Sequence, residues 1–293
     1  MAVLVLGGAG MLGHQLVRAL GESGDVCCTL HGSPEKYADC PEYVTRHAYF
    51  NVDVLDQSAL QAVLDDCSPD AVVNCVGLVK QRDEASRPAA AITLNALFPH
   101  TLYEMCAERG ARLIHMSTDC VFSGDKGMYV DNDLHDARDV YGRTKSLGEV
   151  GGPGALTLRT SIFGPELFTK RGLLEWFLAQ SGAVHGYTRA IFSGFTTYEM
   201  SRIIIMLLKR EGDASGVFNV SAAPISKYDL LCMIRDALAL DIDIEPDNAV
   251  ALDRSLDSSR FRSTFGYTPP AWREMISELA TRLRAEKHPA LKQ

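Results

Sequence analysis

No apolar run in this chain approaches the roughly 18 residues that a membrane-spanning helix needs, so no membrane partner is expected. The opening stretch Met1-Ala2-Val3-Leu4-Val5-Leu6 lacks a cationic segment and a cleavage site, and Gly7-Gly8 ends it. No targeting segment is expected, and the chain reads as cytoplasmic. The eight cysteines contain no C-x-x-C pair and sit mostly in apolar runs, as reduced thiols packed like small hydrophobes do. The eight histidines lack ligand spacing, so no metal is expected. Positive charge is scarce: 29 Lys and Arg stand against 37 Asp and Glu, a net charge of −8. Such a chain repels phosphate backbones, which argues against a nucleic-acid partner. An anionic ligand must instead be held locally, for example at a helix N-terminus. Repeats, low-complexity tracts and flexible linkers are absent too. What remains is 293 residues, 46% apolar, enough for one large or two small globular domains.

The first half alternates short apolar runs with helical patterns. Strands are expected at Val3–Leu6, Val26–Leu30, Tyr49–Val54, Ala71–Val76 and Leu113–Met116. Helices are expected at Met11–Gly21, Ser58–Asp66 and Ala89–Arg109, and later at Tyr141–Val150 before a strand at Leu156–Leu158. Unbroken apolar strands suit a parallel sheet covered on both faces. Repeated strand–helix order then implies right-handed crossovers and a doubly wound α/β fold. Beyond Gly164 the pattern is mixed, with helices at Leu173–Gln180, Met200–Lys209, Leu230–Leu240 (Ser226 its N-cap) and Trp272–Ala285. The expected organisation is a dinucleotide-binding domain at residues 1–164 and a substrate lobe at 165–293, with part of 184–222 returning to the first domain.

Gly7-Gly8-Ala9-Gly10-Met11-Leu12-Gly13 lies between the first strand and the first helix. Glycines allow the tight turn and close backbone approach to a pyrophosphate, and the helix start supplies free N–H groups at Met11 and Leu12. Selection of NAD usually places an acid at the end of the second strand. Here that end reads Thr29-Leu30-His31-Gly32-Ser33, with Lys36 beyond. NADP is therefore the expected cofactor, with NAD as the alternative, and His31 is placed to touch a 2′-phosphate. Asp53, beside Val54, is placed to meet the adenine edge.

Tyr141-Gly142-Arg143-Thr144-Lys145 sets a tyrosine and a lysine four residues apart, on one helix face. A phenol titrates near pH 10, too high for acid–base work at neutrality. A cation about 4 Å away contributes roughly 4 kcal/mol at an effective dielectric of about 20. That brings the phenol down by at most about 3 pH units. Ser117-Thr118 follows the strand Leu113–Met116, where ligands of parallel sheets bind, and a hydroxyl there can share a substrate oxygen with the tyrosine.

With these residues the chain resembles the extended short-chain dehydrogenase/reductases over nearly its full length. Met116-Ser117-Thr118-Asp119-Cys120-Val121-Phe122-Ser123-Gly124, Val140–Glu149, Leu158-Arg159-Thr160-Ser161 and Pro69–Asn74 are similar to segments of the dTDP-4-dehydrorhamnose reductases. The resemblance implies reduction of a nucleotide-linked 4-keto-6-deoxy sugar in polysaccharide or deoxysugar biosynthesis. Tyr141 would give the proton, Lys145 would assist it, and Thr118, with Ser117 as second choice, would bond the carbonyl oxygen. It implies cofactor contacts at Gly7, Gly10, Met11, Leu12, Gly13, His31, Asp53, Val54, Asn74, Cys75, Val76, Gly77, Asn95, Tyr141, Lys145 and Thr160. Substrate contacts are implied at Val79, Lys80, Thr118, Cys120, Ile162, Arg189, Thr196 and Arg260, with Arg254 a further phosphate-clamp candidate. Ile162 stands where those reductases carry tryptophan, and Cys120 where they carry tyrosine, so the sugar and the nucleotide (UDP, dTDP or GDP) stay open. Rival readings are an NAD-retaining sugar-nucleotide epimerase and a non-catalytic subunit like the regulatory subunit of methionine adenosyltransferase. The superfamily also implies a helix-bundle homodimer.

Overall fold

The computed structural model describes the chain except residues 22–25, 41–42, 44–46, 79–86, 169, 211, 213 and 292–293. The strands are β1 (Val3–Leu6), β2 (Val26–Thr29), β3 (His47–Tyr49), β4 (Ala71–Asn74), β5 (Arg112–Thr118), β6 (Ala155–Thr160), β7 (Ile162–Phe163), β8 (Gly182–Phe192), β9 (Phe195–Thr196), β10 (Gly216–Asn219), β11 (Ile225–Ser226) and β12 (Ile242–Asp253). Seven of them form one sheet in the order β10-β6-β5-β4-β1-β2-β3. The pairs β1–β2, β1–β4, β2–β3 and β4–β5 are parallel. Every residue of β1, β4 and β6 is buried, as strands covered on both faces require. The doubly wound α/β expectation holds. Strand order reverses between β1 and β4, and in such sheets ligands bind beyond the carboxyl ends at the reversal.

The chain divides into two compact units, each drawn from three stretches. Met1–Ser117, Asp139–Leu158 and Ser201–Val217 form the first, and Thr118–Arg138, Arg159–Met200 and Phe218–Gln293 the second. The core of the first unit packs Leu4, Leu6 and Val72 of the sheet against Leu60 and Leu64 of the helix Gln57–Cys67 and against Phe98 and Leu102. The helix Met11–Gly21 buries Leu12, Leu16, Val17 and Leu20, the expected face. In the second unit, β8 pairs in parallel with β12 and antiparallel with β11. Trp272 contributes to an aromatic core with Phe163 and Phe192, and its Nε1 donates to Ala223 O at 2.7 Å.

Two expectations need correction, and two strands lie where none was expected. The third strand is His47–Tyr49, not Tyr49–Val54. Asn51 adopts a left-handed φ of 55°, and Asp53 Oδ1 accepts from Leu55 N at 3.0 Å, so the chain turns where a strand was expected. The helix expected at Ala89–Arg109 is interrupted by a π-helical turn, Ile92–Leu97, between Pro88–Ala91 and Phe98–Glu108. The long strands β8 and β12 were not anticipated. β12 alternates over Ile242–Glu245, but Pro246, a register shift between Asp247 and Ala251, and exposed Ala249, Val250 and Ala251 then break the pattern.

Candidate active site

The glycine turn is built by contact. Gly7, at φ 77°, donates its N–H to Thr29 Oγ1 at 3.2 Å, and Gly10 N donates to Gly7 O at 3.0 Å. A Cβ at Gly13 would lie 2.1 Å from Gly7 O, and one at Gly7 2.9 Å from Val76 Cγ2. A Cβ at Gly10 would meet only Gly7 O, at 3.3 Å, so this glycine leaves the turn open to an approaching ligand. The N–H groups of Met11, Leu12 and Gly13 find no partner among the described residues, as the first turn of a helix leaves them. Buried Tyr43 donates from its hydroxyl to Gly8 O at 2.6 Å and steadies the turn. No sequence signal marked Tyr43, because it acts 35 residues away.

Two buried asparagines shape the segment after β4. Asn74 Oδ1 accepts from Val76 N at 3.0 Å. Asn95, in the π turn, accepts from Leu78 N at 2.9 Å and donates to Leu78 O at 3.1 Å. Both therefore hold the backbone of Cys75, Val76 and Gly77 in place. Burial pushes the Cys75 thiol up to about 12, so this cysteine is an inert wall.

Tyr141 and Lys145 lie on the helix Val140–Leu147, which Asp139 caps by accepting from Gly142 N at 2.8 Å. The helix stops at Gly148, where a Cβ would come within 1.9 Å of Asn95 O. Lys145 is buried and donates from Nζ to Met116 O at 2.7 Å. Its Nζ also stands 3.4 Å from Nε2 of buried His115. Burial brings Lys145 down to about 8, against an upward pull from Glu149. Gly77 borders the same space, since a Cβ there would lie 3.9 Å from Nζ. Ser117 donates from Oγ to Glu149 at 2.7 Å. His115 and Glu149 carried no sequence flag of their own.

At the end of β2, His31 is exposed, and no acid occupies the strand end itself. Glu35 follows in the short turn Pro34–Tyr37, held below the usual carboxylate range by Ser33 and its own backbone amide. Exposed Asp53 closes its local turn, and Val54 packs against the core.

The remaining expected residues belong to the second unit or lie outside the description. Thr118 donates to Asp119 Oδ1 at 3.2 Å and accepts from Cys120 N at 3.1 Å. Arg254 donates from Nε to Phe122 O at 2.8 Å and approaches Cys120 Sγ at 3.7 Å. Arg260 pairs with Asp131 at 3.4 Å and lies 4.0 Å over the Phe218 ring. Thr160 is buried and donates to Ser161 O, and Ile162 pairs with Phe195 between β7 and β9. Buried Thr196 accepts from Glu199 N at the start of the helix Thr197–Leu208. Arg189 is exposed on β8. Val79 and Lys80 lie outside the described residues. Among the described residues no cluster of three or more His, Cys, Asp or Glu is set to hold a metal.

The profile of the RmlD substrate binding domain family matches residues 1–285. The chain belongs to that family. Relatives of this RmlD-family chain include the probable low-salt glycan biosynthesis reductase Agl14 of Haloferax volcanii, 28% identical over 95% of this chain and 97% of its own length. The probable dTDP-4,6-dihydroxy-2-methyloxan-3-one 4-ketoreductase of Streptomyces antibioticus is 29% identical over 99% and 98%. Methionine adenosyltransferase 2 subunit beta of Danio rerio is 27% identical over 81% and 74%. Among solved structures, dTDP-4-dehydrorhamnose reductase of Bacillus anthracis, in complex with NADP, covers 96% of this chain and 99% of its own at a TM-score of 0.76 and 19% identity. That likeness bears on the fold.

Proposed function

We propose that this RmlD-family chain is an NADP-dependent reductase of a nucleotide-linked 4-keto-6-deoxy sugar, with NAD as the alternative cofactor. The observation that carries the reading is Lys145, buried and tethered to Met116 O one helical turn from Tyr141. The residues of the first unit fit a dinucleotide. The open face of Gly10 and the N–H groups of Met11, Leu12 and Gly13, without a partner among the described residues, suit a pyrophosphate. Exposed His31 without an acid at the end of β2 favours the 2′-phosphate form. The reductase names of the two full-length relatives, and the NADP of the Bacillus anthracis neighbour, support the same class.

When bound, the dinucleotide supplies the hydride. Tyr141 gives its phenolic proton to the developing alkoxide, a transfer typically worth about 10²–10⁴ in rate. Thr118 turns its hydroxyl hydrogen from Asp119 to the substrate oxygen, and Ser117, occupied by Glu149, is the weaker candidate. Such a donor contributes about 10²–10³. The second unit binds the sugar nucleotide, with Cys120, Ile162, Arg189, Thr196 and Arg260 as contact candidates and Arg254 beside Cys120.

The test is loss of 340 nm absorbance with NADPH and then NADH against UDP-, dTDP- and GDP-linked 4-keto-6-deoxy sugars. Turnover with one donor is expected, falling at least about 100-fold in Tyr141→Phe. Silence with tightly retained NAD would move the chain to the epimerases. Silence without a retained cofactor would leave a binding role like that of the methionine adenosyltransferase subunit.

A further inference from the structure

Behind Lys145 lies a buried chain of polar groups that the reaction above does not use. It begins at Asn74, whose amide orientation is fixed from outside. Val76 N–H needs an acceptor and finds Asn74 Oδ1 at 3.0 Å, so the amide nitrogen must face the other way. There, Nδ2 lies 3.1 Å from Nδ1 of His115. An amide nitrogen only donates, so Nδ1 of His115 accepts and carries no hydrogen. His115 is fully buried, and burial, the largest cause, holds it neutral. A neutral imidazole has one hydrogen, which must sit on Nε2, and Nε2 faces Lys145 Nζ at 3.4 Å.

An ammonium group opposite that N–H sets donor against donor. An amine resolves the conflict: its lone pair accepts from His115 while one of its hydrogens still serves Met116 O at 2.7 Å. Among the described residues, Glu149 acts on Nζ from its own stretch of chain, accepts from Ser117 and pulls toward the ammonium. His115 faces Nζ from β5, Tyr141 precedes Lys145 by one helical turn, and Asn95 lies beside Gly77 across the same space.

We propose that His115 is a positioning residue for Lys145: locked by Asn74 as the Nε2–H tautomer, it aims a donor at Nζ and stabilises the amine, so that Lys145 passes a proton to Tyr141 instead of remaining a fixed cation. The step balances. An Nζ–H bond breaks and a phenolic O–H bond forms on the tyrosinate left after proton donation. The ammonium charge and the phenolate charge cancel, and a hydronium ion or buffer acid from solution restores the ammonium, which supplies the one proton the reduction consumes. The role given to Tyr141 rests on the reductase reading, but the state of Lys145 does not.

Two measurements on the cofactor-free protein test this. Nitrogen-15 NMR of labelled histidine reads the tautomer of His115 in the unaltered chain. A bare Nδ1 and a protonated Nε2 are expected, and the opposite tautomer would overturn the proposal without any variant. Carbon-13 NMR at the lysine ε-carbon, assigned by loss of the signal in Lys145→Met, follows the lysine titration. In His115→Gln an amide oxygen can turn toward the ammonium, and the Lys145 midpoint should rise by about one pH unit, a tenfold shift. A folded His115→Gln protein with an unmoved midpoint would sink the idea, whereas a merely structural histidine predicts that result. If the chain also proves to be a reductase, the alkaline limb of kcat should move with the same midpoint while KM holds.

Discussion

Gly10 and Gly13 sit three residues apart in one turn, and an added methyl group meets different surroundings at each. Gly13→Ala drives a Cβ to 2.1 Å from Gly7 O, and such overpacking costs about 1–3 kcal/mol or more. Gly10→Ala meets a single oxygen at 3.3 Å and should change stability by less than about 1 kcal/mol, while weakening dinucleotide binding at least about tenfold. Thermal unfolding beside a fluorescence titration with NADPH separates the two. Lys145 adds a pH signature. Its pKa falls from 10.5 to about 8 on folding, so between those values the unfolded chain binds more protons. Stability therefore rises with pH across that window, the penalty being complete below about pH 8 and totalling roughly 3 kcal/mol. Urea unfolding at pH 7.5 and 10.5 should show this slope, and Lys145→Met should flatten it. At this scale the sequence was legible where spacing along the chain set local placement, as in the glycine turn between β1 and its helix and in Tyr141 and Lys145 on one helix. It was silent where a residue works through distant partners. Tyr43 reaches Gly8, and His115 joins Asn74 to Lys145, and neither contact leaves a local pattern.

The helix Val140–Leu147 has only eight residues, so its ends matter more than its propensity. Asp139 supplies the N-cap, and Gly148 lets the other end pass close to Asn95. Asp139→Ala should lose about 1 kcal/mol of stability. Because the cap sits two residues before Tyr141, kcat should fall more than the affinity for the dinucleotide does, which steady-state kinetics and a binding titration resolve. Helices were the more legible elements. Ser226 caps the helix Lys227–Leu238 as read, and Trp272–Ala285 begins and ends where its periodicity did. Strands failed where their alternation breaks, as in β12 beyond Glu245, or where one left-handed residue turned the chain, as at Asn51. The π turn carrying Asn95 had no sequence mark, because its extra residue per turn leaves the apolar spacing nearly intact.

The chain passes between its two units after residues 117, 138, 158, 200 and 217. A fragment of residues 1–164 would therefore lack the third stretch of the first unit and the edge strand β10. Such a fragment should show a broad, weakly cooperative thermal transition by circular dichroism, where the full chain melts sharply. The alternating pattern of the first half told its doubly wound fold, but not that its sheet closes with a strand some fifty residues beyond β6. The same interleaving sets a timetable for synthesis. While the ribosome is still adding residues, β6 waits as an open edge at least until β10 has been made, after about three quarters of the chain. An exposed sheet edge is a template for stray strand pairing. The interval between the emergence of β6 and that of β10 is therefore when a nascent chain of this family most needs a chaperone, and slow codons between residues 160 and 216 would prolong it.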